Sequence, residues 1–338
     1  MKALFIGGTG TISTAVSRLS VGSGWELVLL NRGRRSEVVP EKSKVVKADI
    51  NDEKAVGGLI HDMRFDVVVD YIAFDVAQVE RDIRLFTGKT RQFIFISSAS
   101  AYQKPLSHYV ITEGTPVANP YWEYSRKKIA CENRLMEEYR KNGFPTTIVR
   151  PSYTYDERSI PVSVHGRKGS WQVIDRIRKG KSILVHGDGT SLWTMTHNSD
   201  FAKGFVGIMG NPAAIGETIQ ITSDESLTWD AIYNCIGDTL GMEVKKVHVS
   251  SDFLSACDNE FEGNLLGDKA HSVVFDNSKL KRLVPGFVAT VPFHEGVRLS
   301  LHHILSHPEL QVPDEEFERF SDRVIMVQED ALSKFKRM

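Results

Sequence analysis

The 338 residues exceed what one hydrophobic core normally serves, so the chain is expected to pack as two lobes. Hydrophobic residues make up 41% and charged residues 25%, as in ordinary globular proteins, and a net charge of −1 argues against a strong non-specific pull on nucleic acid. Cys131, Cys235 and Cys257 form neither a metal pattern nor an even disulfide set, and no apolar run reaches about 18 residues, so a cytoplasmic protein with no leader peptide and no membrane span is expected.

The first half alternates short apolar runs with helical patterns. Ala3–Ile6 reads as a strand, residues 12–22 as a helix, Glu26–Leu30 and Val45–Ala48 as strands, and Lys54–Met63 as a helix. Asp66–Asp70 is a strand, Val76–Phe86 a helix, Gln92–Ser97 a strand, Trp122–Asn142 a long helix and Thr146–Arg150 a strand. Strands that are apolar throughout, separated by helices, imply a parallel sheet covered on both faces. The expected fold class is α/β: a doubly wound parallel sheet, the Rossmann fold, in residues 1–150, with a smaller C-terminal α/β substrate lobe. Segments within 183–225 are expected to complete the sheet; Ile183–Val185 and Thr218–Ile221 read as strands. Residues 151–312 should form mainly the substrate lobe, and 313–338 a charged surface helix that could pack on a partner.

Gly7-Gly8-Thr9-Gly10-Thr11-Ile12-Ser13 lies between the first strand and the first helix. Gly7 suits a tight turn, Gly10 a close backbone approach to pyrophosphate, and the helix N-terminus offers free N–H groups; Ser13 stands where a third glycine is usual. The second strand ends in Asn31-Arg32-Gly33-Arg34-Arg35, without the acid that would read an NAD ribose, and guanidinium groups suit a phosphate. Asn31, Arg32 and Arg34 therefore favour NADP over NAD. Thr11 and Ile12 in the loop, Asp49 and Ile50 near the adenine, and Ile72 and Ala73 along the inner edge are further expected cofactor contacts.

The fifth strand ends in Ser97-Ser98-Ala99-Ser100, at the carboxyl edge where such sheets bind ligands. Tyr124 and Lys128 stand one helical turn apart, on one helix face. Hydride transfer at a carbinol needs a base. A lysine beside a tyrosine favours the phenolate, and a serine can orient the substrate oxygen. Ser98, Tyr124 and Lys128 are the catalytic candidates, and Tyr124 and Lys128 would also touch the cofactor.

Through GGTGTIS, SSASAY, YSRKK and HGDGTSLWTMTHNSDFA, residues 1–225 resemble the extended branch of the short-chain dehydrogenase/reductase superfamily, the NAD(P)-dependent epimerases and dehydratases. The resemblance makes Ser98, Tyr124 and Lys128 a catalytic triad and puts Arg150-Pro151-Ser152 beside the nicotinamide, with Pro151 as a cofactor contact. It implies a small sugar-like or nucleotide-sugar substrate, turned over by an oxidoreductase or epimerase, and a homodimer built on a four-helix bundle.

Three positions depart from the family pattern. Tyr153 replaces an Asn, Trp193 replaces an Arg that clamps the diphosphate, and Ala99-Ser100 replace the acidic pair of dehydratases. Arg158 or Arg167 would have to take over a diphosphate. Ser100, Tyr153, Trp193 and His197 are candidate substrate contacts, and the basic helix Trp171–Lys179 a candidate phosphate site. His165, His186 and Asp188 are too scattered for a metal, and none is expected. The stretch DYIAFDVAQVERDI also resembles an atypical branch containing chloroplast stem-loop RNA-binding proteins. The alternative reading is therefore a non-catalytic binding protein, a dinucleotide sensor or RNA binder, although a nucleic-acid partner is not expected.

Overall fold

The computed structural model describes residues 1–338. In the first half, β1 (Lys2–Ile6), α1 (Thr11–Gly22), β2 (Glu26–Asn31), β3 (Lys44–Lys47), α2 (Glu53–Leu59), β4 (Val67–Asp70), α3 (Val76–Phe86), β5 (Phe93–Ile96) and α4 (Glu123–Asn142) follow in order. Seven parallel strands form one sheet, in the order Thr218–Ile221, Thr146–Pro151, β5, β4, β1, β2, β3. The central strands are apolar on both faces because both faces are covered. Against one face pack α1 and the helix Asn198–Ile208, through Val16, Phe201 and Phe205. Against the other pack α2, α3 and α4, through Val56, Val79 and Cys131. The strand KVVK of β3 closes one edge, with a lysine at each end to discourage further pairing.

Two details differ from the sequence expectation. α2 ends at Leu59 rather than Met63, because Gly57 and Gly58 weaken its last turn. Of the two strands expected to extend the sheet, Thr218–Ile221 joins its edge, while Ile183–His186 pairs with Lys246–Val249 in the other lobe. That lobe has its own core, in which Trp171, Trp229, Phe293 and Phe317 are buried. Leu280 and Phe287 return from it to the sheet core.

The chain ends in the helix Glu315–Arg337. Its first half packs on the C-terminal lobe through Phe317, Val324 and Ile325. No large apolar side chain of α3 or α4 is fully exposed, and Ile129 and Met136 of α4 are partly so. No helix is long and apolar enough to cross a membrane.

Candidate active site

The carboxyl edge of the sheet carries a groove of about 600 Å³. Gly7 and Gly8 turn the chain at its floor with φ of +102° and +86°, a region that side chains avoid. A Cβ on Gly8 would stand 2.7 Å from Leu29 Cδ2, so only glycine fits. Gly10 has an ordinary φ of −90° and caps α1; its N–H donates to Ser13 Oγ at 2.8 Å. The sharp turn is thus made by Gly7 and Gly8, and Ser13 is a capping residue rather than a loose substitute for glycine. Gly7, Gly10, Asn31, Arg32, Arg34, Asp49, Ile50 and Ile72 all line the groove. Arg32, Arg34 and Arg35 are exposed at its mouth, and no carboxylate stands at the end of β2. Thr11 lies outside the lining; its carbonyl accepts from Asn198 Nδ2 at 3.0 Å. The glycine cradle, the helix N-terminus and the elongated groove fit a dinucleotide.

A second cavity is lined by Ile12, Phe74, Ser98, Tyr124, Lys128, Pro151 and Tyr153. Lys128 is buried, and its Nζ donates to the carbonyls of Ala73 at 2.8 Å and Ile96 at 2.7 Å. It also lies 4.4 Å from the centre of the Phe74 ring and 5.9 Å from that of Tyr124. An ammonium has three donors, so one remains. Burial lowers the Lys128 pKa to about 8. Burial raises that of Tyr124; the Ser98 hydroxyl opposes this and Asp268 adds to it. The pull toward the phenolate expected of Lys128 is not seen in the protein alone: burial favours the protonated phenol, and the lysine is not among the groups that shift it.

The elements that place these side chains are tied together by buried polar groups. Asp70, at the end of β4, accepts from the N–H groups of Ile72 and Ala73 and pairs with buried Arg81, shaping the turn whose Ala73 carbonyl holds Lys128. Glu132 of α4 pairs with Arg150 and accepts from Ser97, locking the helix to two strands. Arg150 is thereby engaged behind the cavity, while Pro151 and Ser152 face it. Asn119, which sequence reasoning missed, donates to the carbonyls of Ser100 at 2.8 Å and Gly267 at 2.7 Å and accepts from the N–H groups that start α4. An Asn before Pro and an aromatic pair is a weak helix-start signal; its long-range bonds had no sequence signal.

A third cavity, of about 240 Å³, adjoins the second and shares Ser98, Tyr124, Pro151, Ser152 and Tyr153 with it. Ser100 and Trp193 line it, as do Lys104, Trp122 and Asp268 from outside the expected set. Ser100 Oγ lies 2.9 Å from Ser98 Oγ and accepts from Ser125 at 2.7 Å, forming a row of hydroxyls beside the phenol. His197 is not in the lining: it caps the helix Asn198–Ile208 and meets Tyr155 edge-on, a structural post. Arg158 pairs with Asp156, and exposed Arg167 pairs with Glu260; neither reaches the cavity. On the basic helix Trp171–Arg178, Arg176 is buried and paired with Glu318 and Asp322, while exposed Arg178 lies 5.6 Å from the centre of the Trp171 ring; neither lines the cavity.

Residues 3–222 match the profile of the NAD dependent epimerase/dehydratase family. The 2'-dehydrokanamycin reductase of Streptomyces kanamyceticus is 23% identical over 85% of this chain and 80% of its own length. A chloroplast stem-loop binding protein of 41 kDa from Arabidopsis thaliana is 26% identical over 68% of this chain; the chain spans 61% of that protein. Among solved structures, the UDP-glucuronic acid 4-epimerase of Bacillus cereus in complex with UDP-glucuronic acid and NAD superposes with a TM-score of 0.72 at 18% identity, over 90% of this chain and 99% of that one.

Proposed function

The chain belongs to the NAD dependent epimerase/dehydratase family, as an oxidoreductase or isomerase, and from that premise we propose that it reduces a ketone, or oxidises the corresponding carbinol, on a small sugar-like ring with NADP. One observation carries the reading: the Tyr124 phenol and the Ser98 hydroxyl stand at the junction of a cofactor-side cavity and a substrate-side cavity. The dinucleotide, when bound, supplies or accepts the hydride. Gly7, Gly8 and Gly10 would hold its pyrophosphate, Arg32 and Arg34 its adenosine phosphate, and the remaining Lys128 donor its ribose near the reacting end. Ser98 holds the substrate oxygen, and Tyr124 gives that oxygen a proton during reduction and takes it back during oxidation.

The raised pKa of Tyr124 supports the reductive direction, because the phenol carries its proton across neutral pH. The name of the reductase relative supports the same direction. The arginines beside Asn31, with no acid to repel a phosphate, support NADP.

Tyr124→Phe should lower kcat by at least about a hundredfold, the lower end of what a general acid contributes. Cofactor affinity, measured by calorimetry, should stay within about threefold, well under the ~1.4 kcal/mol of a tenfold change. Turnover unchanged by this substitution would end the assignment.

A further inference from the structure

The substrate-side cavity contains a pair of charges that the protein does not use. Lys104 is 3% exposed, yet its ammonium makes no hydrogen bond or ion pair and faces the cavity. Its backbone is firmly placed, its N–H donating to Ala118 at 2.9 Å. Asp268, half-buried on the cavity wall, makes no hydrogen bond or ion pair through its carboxylate; Lys104 and Lys269 are the cations that act on it. It is carried by the π-helical turn Glu262–Lys269, a geometry often found at functional sites. That turn is pressed against the catalytic helix: a Cβ on Gly263 would stand 2.3 Å from Trp122 Cδ1, and Asn119 holds the Gly267 carbonyl. Burial without a partner costs a charged group several kcal/mol, and such groups are normally paired or bound to a ligand.

Resting on the carbinol reading above, we propose that Lys104 and Asp268 are the recognition pair for a single free sugar or cyclitol ring, with no nucleotide diphosphate attached. Lys104 donates to a ring or hydroxyl oxygen, and Asp268 accepts from a hydroxyl or amino substituent. The cavity is smaller than the roughly 300–1,000 Å³ of sites for drug-sized ligands. A diphosphate would find one ammonium, no arginine and a facing carboxylate. Trp122, Tyr153 and Trp193 supply flat apolar walls for the ring's C–H faces.

The full chain saturated with NADP would be offered myo-inositol, glucose, glucosamine and UDP-glucose, following NADPH absorbance and, for each, binding by calorimetry. At least one single ring should be turned over, and UDP-glucose should not. On that ring, Lys104→Met and Asp268→Asn should each raise KM at least about tenfold, about 1.4 kcal/mol, with kcat little changed. Lys104→Met should not lower Tm, because a buried ammonium without a protein partner is removed; a structural lysine would lower it. UDP-glucose as the better substrate, neither variant moving KM, or no single ring turned over or bound would each overturn the substrate class. Failure of the carbinol reading looks different: turnover would survive Tyr124→Phe.

Discussion

Lys128 would hold its proposed place beside the reacting groups at the expense of stability. Its folded pKa, about 8, lies below the 10.5 of an ordinary lysine because the charged form is buried. Between those values the unfolded chain binds more protons, so the contribution of this group to stability is greatest above about pH 10.5 and is lost as pH falls through about 8. Lys128→Met should therefore stabilise the cofactor-free protein at pH 7 by up to about 3 kcal/mol, less what its two carbonyl hydrogen bonds contribute. Urea denaturation of both proteins at pH 7 and pH 10.5 would check this: the gap should narrow at the higher pH while activity is lost at both. Tyr124 and Lys128 were legible as a pair from their four-residue spacing. The direction of the phenol's shift was not, because burial is not written in a spacing.

At the scale of elements, the position of the helix that carries Tyr124 and Lys128 depends on Glu132. A buried ion pair broken on one side leaves Arg150 uncompensated among apolar neighbours. Glu132→Gln should cost roughly 3 kcal/mol, seen as a lower urea midpoint, and should lower kcat more than it changes cofactor affinity. The glycine turn makes the complementary case. Gly8→Ala needs both a strained φ and a shift of Leu29, so about 1–3 kcal/mol of stability should go and dinucleotide affinity should fall more than tenfold by calorimetry. The glycine loop was readable because a strand, three glycines and a helix occur in order within about a dozen residues. Asn119 was not, since its partners at Ser100 and Gly267 come from different parts of the chain.

For the whole molecule, the reading proposed above puts the dinucleotide at the carboxyl edge of the sheet and the substrate against the C-terminal lobe, so one ligand should stabilise both lobes. NADP at a hundred times its Kd should add about 2.7 kcal/mol, and NAD at the same concentration less; Arg34→Ser should shrink the difference in a thermal melt. Equal shifts with both cofactors in the unmodified protein would mean that the arginines at the groove mouth read no phosphate.

The sequence by itself determined the parallel sheet, the glycine cradle and the alignment of Ser98, Tyr124 and Lys128, because each depends on local periodicity or on residues close together in the chain. Only the tertiary structure decided which charges meet. Arg176 is taken by Glu318 and Asp322, His197 is turned inward as a cap, and Lys104 and Asp268, more than a hundred and sixty residues apart, are brought to the wall of one cavity. The physical reason is that burial and long-range pairing set the energy of a charge, and neither is encoded in the residues beside it.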